Sequence, residues 1–250
     1  MDKCCIVIPC YNESNRINKA EYLSFLSKNN FFTFLFVDDG SADNTLEILK
    51  ELNSSCLQIK YIRLEKNSGK AEAVRFGVTE VLKNDEYKYI GFLDADLAIP
   101  LEELKRLYDI ISSENKYTLT FLSKVKKKDS EVNQKLERFI IGRILSLMTR
   151  ISLKLPIYDT QCGCKLMHKT VAETVFNQPF ISSWLFDIEI FWRFIIKYKR
   201  EFFLKYALEV SLQKLNNTGK TKINIKDLLK LPFEFLKIHS HYSKINETKL

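Results

Sequence analysis

The chain has 250 residues, 46% of them hydrophobic, with six cysteines and a formal net charge of +8. Such content places it among globular proteins with one main core and argues against a disulfide scaffold, because Cys4, Cys5, Cys10, Cys56, Cys162 and Cys164 form no C-x-x-C pair. A pI near 9.0 favours an anionic partner (nucleic acid, a lipid surface or a phosphorylated substrate), and no helix-turn-helix or zinc-finger signature supports nucleic acid.

In chain order, short apolar runs at Cys4 to Pro9, Phe34 to Val37, Ile59 to Leu64, Tyr89 to Leu93 and Leu119 to Leu122 are predicted as buried strands. Between them, Ala20 to Lys28, Asn44 to Leu52, Lys70 to Leu82 and Leu101 to Ser112 carry helical patterns. This β-α-β alternation predicts an α/β fold with a mostly parallel central sheet and helices on both faces. The first strand starts too near residue 1 for a charged leader and a signal-length apolar stretch, so a cytoplasmic protein is expected.

After about residue 123 a basic run, Lys124 to Lys128, leads into a helical stretch from Gln134 to Leu155. Arg143, Arg150 and Lys154 interrupt its apolar content, so it fails as a bilayer span. Leu136, Ile140, Ile144, Leu147, Met148 and Ile151 share one side, with Lys135, Arg138, Arg143 and Arg150 mostly opposite. Two readings fit: a helix packed on the sheet, or one lying at a membrane interface, peripheral on the cytoplasmic face. The final segment, Ile225 to Tyr242, repeats the mixture, with a kink expected at Pro232.

Chemistry concentrates in the loops after the strands, where open α/β sheets bind ligands. Asp94 and Asp96 follow Tyr89-Ile90-Gly91-Phe92-Leu93, so a turn there can aim two hard oxygen ligands at one Mg²⁺ or Mn²⁺. Asp38-Asp39-Gly40-Ser41 ends another strand and runs through Asp43 and Thr45 into a helix; Ser41 or Asp43 is expected to cap that helix, leaving a carboxylate for a base or ribose. Asn67-Ser68-Gly69-Lys70 opens a helix, an arrangement suited to a diphosphate, without the glycine spacing of a P-loop.

In order and spacing, Val7-Ile8-Pro9-Cys10-Tyr11-Asn12-Glu13, the Val37 to Thr45 segment, Asn67-Ser68-Gly69-Lys70-Ala71-Glu72-Ala73-Val74-Arg75 and Leu93-Asp94-Ala95-Asp96 closely resemble family 2 glycosyltransferases with the GT-A fold, over roughly residues 3 to 215. The resemblance implies a nucleotide-sugar pocket of Pro9, Tyr11, Glu13, Asp38 and Asp39, with Lys70 nearby and Asp94 and Asp96 at the metal and diphosphate. Asp159-Thr160-Gln161-Cys162-Gly163-Cys164-Lys165-Leu166 and Trp184-Leu185-Phe186-Asp187-Ile188-Glu189 resemble the dolichyl/polyprenyl-phosphate β-glucosyltransferase branch. Lys124 stands where that branch often has arginine, and Cys164 where it commonly has an aromatic residue.

The implied activity is metal-dependent, inverting transfer of a hexose, with UDP-glucose as first donor, to a polyprenyl phosphate. Arg138, Lys124 and Lys165 are then candidates for the acceptor phosphate, and Asp96 is the central catalytic residue. The alternative acceptor, a saccharide hydroxyl, needs a base, for which Asp187 or Asp159 is the candidate; a catalytically silent nucleotide-sugar binder is the other alternative. Asp187 and Glu189 otherwise read as a polar face of an aromatic-rich helix. The expected organisation is a GT-A domain over 1–224, with a nucleotide-sugar half at 1–123 and an acceptor half at 124–224, followed by a basic amphipathic tail at 225–250.

Overall fold

Alternation along β1 (Lys3–Cys10) decides the layering. Cys5 and Val7 enter one apolar cluster while Cys4, Ile6, Ile8 and Cys10 enter another, so the strand is buried on both faces and needs a helical cover on each. The computed structural model describes residues 1–114, 116–124, 136–216 and 225–248, and leaves the side chains of 136–143, 225–229 and 246–248 outside that description.

A seven-stranded sheet in the order β3-β2-β1-β4-β6-β5-β7 is built from β1, β2 (Phe32–Asp38), β3 (Ile59–Arg63), β4 (Tyr87–Leu93), β5 (Leu119–Ser123), β6 (Cys164–His168) and β7 (Ala207–Ser211). Helices α1 (Lys19–Lys28), α2 (Thr45–Ser55) and α4 (Leu101–Ser113) supply the cluster on one face through Tyr22, Leu26, Leu49, Leu52, Leu104 and Leu107. The other face is covered by α3 (Lys70–Leu82), α5 (Leu136–Leu153), α6 (Lys169–Val175), α7 (Phe186–Tyr198), α8 (Arg200–Tyr206) and α9 (Ile225–Thr248). The mostly parallel sheet and two-sided helical cover expected from the alternating pattern are present.

Two strands escape a reading by apolar runs. β6 lies antiparallel between β4 and β5, with Lys165 opposite both Phe92 and Phe121, and a lysine at its centre breaks the apolar signature. β7 is a half-buried edge strand, parallel to β5. Because β6 alone runs against the others, it begins at the edge where they end. The segment 159–164 therefore joins the loops after β1, β2 and β4.

Residues 134 and 135 of the expected long helix lie outside the described residues. Of its apolar side, Ile144, Leu147 and Ile151 are 56, 57 and 69% exposed, whereas Leu145, Thr149 and Leu153 turn inward. α9 continues through Pro232 and extends to Thr248; Phe235, Ile238 and Tyr242 are buried while Phe233 and Leu236 point outward. No helix among the described residues is long and apolar enough to cross a membrane.

Candidate active site

The loops after β1 and β2 lock together through short polar side chains. Asn12 N donates to Ser41 Oγ (2.9 Å), Ala42 N to Asn12 Oδ1 (2.8 Å), and Glu13 N to Thr45 Oγ1 (2.8 Å). Gly40 sits at φ +67, and a Cβ there would meet the backbone of Lys66 and Asn67 at 2.7 Å, so only glycine lets the third loop approach. Ser41 thus ties loops together. Neither Ser41 nor Asp43 is the cap expected: Asn44 holds the N-cap position of α2 without a side-chain capping bond, and Asp43, one residue earlier, accepts from Thr45 N at 3.0 Å.

Asp43 also accepts from Ser14 N (3.1 Å) and Ser14 Oγ (2.7 Å). Burial works against its charge, but the hydrogen bonds from Thr45 and Ser14 outweigh it and lower the pKa to about 2. A folded-state value below the unfolded one means that this stabilisation is complete above about pH 4 and is lost as pH falls towards 2. Asp43→Asn is expected to cost about 1 kcal/mol at pH 7, allowing for solvent screening at a part-exposed site. Urea midpoints should show that deficit shrinking below pH 4; a deficit constant with pH would assign it to packing.

Asp38 is fully buried at the end of β2, accepting from Ser41 N at 3.0 Å and lying 3.5 Å from Arg63 Nε. Asp39 faces the third loop, where its two oxygens accept from Ser68 N (2.7 Å) and Gly69 N (2.9 Å). Burial raises the Asp39 pKa, and these two amides only partly offset it. The amides thought to face a diphosphate are therefore held by Asp39, which shapes the turn that presents Lys70. Pro9, the penultimate residue of β1, is half-buried, and Tyr11 just beyond the strand is 40% exposed.

Lys70, Asp94, Asp96 and Glu13 meet on one side. Lys70 Nζ lies 2.5 Å from Asp94 Oδ1, and Asp96 pairs with Arg16, whose other nitrogen donates to Glu13 at 3.2 Å. Asp96 Oδ1 also accepts from Ala98 N at 3.0 Å, with Leu97 in left-handed backbone at φ 50. Burial acts to lower the Lys70 pKa, and Asp94 followed by Asp187 outweighs it, so the ammonium stays charged. A Cβ on Gly163 would collide with Asp94 Oδ2, so the start of β6 closes against this carboxylate. Among the described residues no group of three or more His, Cys, Asp and Glu gathers to hold a metal. Two carboxylates fit a hard cation that takes its remaining ligands from substrate phosphates and water.

The acceptor candidates separate. Lys165 is fully buried: Nζ donates to Thr160 O (2.9 Å), Cys162 O (3.0 Å) and Asp187 Oδ1 (2.5 Å), and it lies over the Phe92 and Phe191 rings. All three of its protons are engaged inside the protein. Asp187 is 3% exposed; burial raises its pKa, with Lys165 and then Lys70 pulling the other way. Asp159 accepts from Lys124 N (2.9 Å) and Gln161 N (2.9 Å), so both oxygens hold backbone. Lys124 is half-buried beside it; burial acts to lower its pKa, and Cys162, Asp159 and Asp94 outweigh that. The Arg138 side chain lies outside the described residues.

Two contributing residues were not singled out from sequence, and a third, Glu189, was read as part of a polar face. Arg16 follows Glu13 by three places, a spacing that signals a pair once the loop is known to turn. Glu209 on β7 accepts from Tyr158 N (3.0 Å) and Asp159 N (2.8 Å), a long-range role with no local signal. Glu189 is fully buried and bonded to the backbone of residues 181 and 182, not on a solvated face.

A family model described as glycosyl transferase family 2 matches residues 5–176. A dolichyl-phosphate beta-glucosyltransferase of Trichomonas vaginalis is 29% identical over 248 residues, covering 94% of this chain and 70% of that protein. The enzyme of that name from Saccharomyces cerevisiae is 32% identical over 206 residues, covering 74% of this chain and 60% of that protein. In fold, the chain is similar to glucosyl-3-phosphoglycerate synthase from Mycobacterium tuberculosis in complex with UDP, at a TM-score of 0.68 and 13% identity over 96% of this chain and 80% of that one. The same enzyme with Mn²⁺, UDP-glucose and phosphoglyceric acid aligns at a TM-score of 0.66 and 13% identity, over 96% of this chain and 80% of that one.

Proposed function

The chain belongs to glycosyl transferase family 2, and from that premise we propose that it transfers glucose from UDP-glucose to a polyprenyl phosphate with inversion at the anomeric carbon. The curated relatives carry dolichyl-phosphate beta-glucosyltransferase names, and a solved structure of the same fold holds UDP-glucose with Mn²⁺. The observation that carries the choice of acceptor is the state of the two candidate bases: Asp159 has both oxygens on backbone amides, and Asp187 is buried against Lys165. A sugar hydroxyl needs a proton acceptor, whereas a phosphate oxygen is already anionic at neutral pH.

Asp94 and Asp96 would hold Mg²⁺ or Mn²⁺, which supplies Lewis-acid stabilisation of the departing diphosphate. Buried Asp38, paired with the exposed Arg63, is assigned to the inner end of the nucleotide pocket, and Tyr11 offers a ring at its rim. Lys70, set by the Asp39-bound turn, brings positive charge to the donor phosphates. Lys124 and Arg138 are the cations proposed for the acceptor phosphate; Lys165 instead holds Asp187 and two carbonyls and is assigned to positioning.

A lipid acceptor suits the outer surface. Ile144, Leu147 and Ile151 form an exposed apolar ridge on α5, accompanied by Phe233 and Leu236 on α9, which supports peripheral attachment to a bilayer. Glucose label from UDP-glucose is expected in a short polyprenyl phosphate when Mn²⁺ or Mg²⁺ is present. Leu147→Ser with Ile151→Ser should reduce sedimentation with anionic vesicles about tenfold, from lost apolar burial, while transfer to a water-soluble short-chain acceptor stays within about twofold. Transfer to a saccharide hydroxyl but to no polyprenyl phosphate would overturn the acceptor assignment.

A further inference from the structure

The segment 181–185, between α6 and α7, is held almost wholly by side chains. Glu189, fully buried on α7, accepts from Ile181 N (3.0 Å), Ser182 N (2.9 Å) and Tyr242 Oη (2.9 Å). Arg193, one turn later, donates to Tyr242 Oη (2.9 Å) and to the carbonyls of Val175 (2.9 Å), Gln178 (2.6 Å) and Pro179 (2.6 Å). Ser182 Oγ accepts from Trp184 N (3.2 Å) and Leu185 N (2.8 Å) and donates to Glu234 of α9.

The same segment touches the donor side. A Cβ on Gly69 would collide with Ser183 Oγ, so Ser183 rests on the turn whose amide is held by Asp39 and whose next residue, Lys70, pairs with Asp94. α9 is thus joined to the candidate site by contiguous contacts: Tyr242 and Glu234 to Glu189 and Ser182, Ser183 to Gly69, and Lys70 to Asp94. A helix serving only to cover the sheet would need its apolar residues Phe235 and Ile238 alone. Glu234 reaches the segment directly and Tyr242 reaches Glu189, which holds it, so two polar side chains give α9 a second role.

We propose that Tyr242 and Glu234 are positioning residues: through Glu189 and Ser182 they hold segment 181–185 against the Gly69–Lys70 turn, fixing Lys70 relative to Asp94 on the donor side of the site. This deepens the transfer reading above and rests on it. Displacements of about 1 Å at such a distance from the chemistry are enough to slow an enzyme up to about 10²-fold, and loss of these bonds frees amides to exchange with solvent.

The test compares Tyr242→Phe and Glu234→Ala with Tyr198→Phe, which removes a hydroxyl bonded to Thr170 and Thr174 at the other end of α7. Hydrogen exchange of the peptide covering 180–185 is expected to quicken about tenfold in the first two variants. KM for UDP-glucose should rise about tenfold while kcat changes less. UDP affinity in Mn²⁺, read by calorimetry, should fall in step, while KM for a short polyprenyl phosphate stays within about twofold. Glu234→Gln keeps an acceptor oxygen for Ser182 and should restore both readouts. Exchange unchanged in Tyr242→Phe and Glu234→Ala, or faster exchange with an unaltered UDP-glucose KM, overturns the assignment. The exchange readout uses no nucleotide, so a failure of the donor reading appears separately, as absent UDP binding by the wild-type protein.

Discussion

Asp96→Asn is expected to lower glucosyl transfer by about 10³-fold, the equivalent of the several kcal/mol that a divalent cation contributes at a developing charge. The substitution keeps the side chain's size and leaves an oxygen able to accept from Ala98 N, so the turn after β4 should persist and the melting temperature should change little. What it removes is one of two carboxylates available to the cation and a charged partner of the Arg16 guanidinium, which keeps its bond to Glu13. Mn²⁺ binding in the presence of UDP, followed by electron paramagnetic resonance, should weaken in step with the rate. Wild-type Mn²⁺ affinity in Asp96→Asn would place the cation elsewhere and remove Asp96 from its assigned role.

Lys165→Met is expected to destabilise the protein by about 3–5 kcal/mol, because it leaves the Asp187 carboxylate buried without its partner. The ammonium's other bonds end on the carbonyls of Thr160 and Cys162, which would also lose their donor. Burial already raises the Asp187 pKa, and Lys165 is the largest influence in the other direction. Without it the carboxyl gains further preference for its proton, and the cost of ionising it grows with pH. The deficit in urea unfolding should therefore be larger at pH 8 than at pH 5. Lys165→Met combined with Asp187→Asn should recover much of the loss, since a buried pair removed as a unit strands no charge. Additive losses in the double variant would show that the two side chains act independently.

Much of the proposed donor side was legible in the sequence because its signals are local. An apolar run that stops at an acidic turn gives both the strand and the edge at which its loop emerges, so Asp38, Asp39, Asp94 and Asp96 follow from their neighbours alone. Glycine at residue 40 and the polar residues at 12, 41, 43 and 45 likewise marked loops, though not which loop each would bond. The proposed acceptor side was less legible. Lys165 looked available for a phosphate because an isolated lysine in a sequence is presumed solvated; its burial depends on Asp187, 22 residues away, and on the Phe92 and Phe191 rings. Asp159 and Glu189 carry no mark that separates a base from a carboxylate bonded to backbone amides.

By itself, then, the sequence determined the α/β layering, the edge where the strands end and the acidic residues gathered there, since periodicity and turn chemistry act over a few residues and need no distant partner. The tertiary structure alone decided which charges are free to meet a substrate. Burying an ion is tolerable only when a partner from another element neutralises it, and that partner is set by the reversal of β6, the seating of α7 and the return of α9. The outward face of α5 was settled in the same way, by which of its sides α7 and α9 left uncovered.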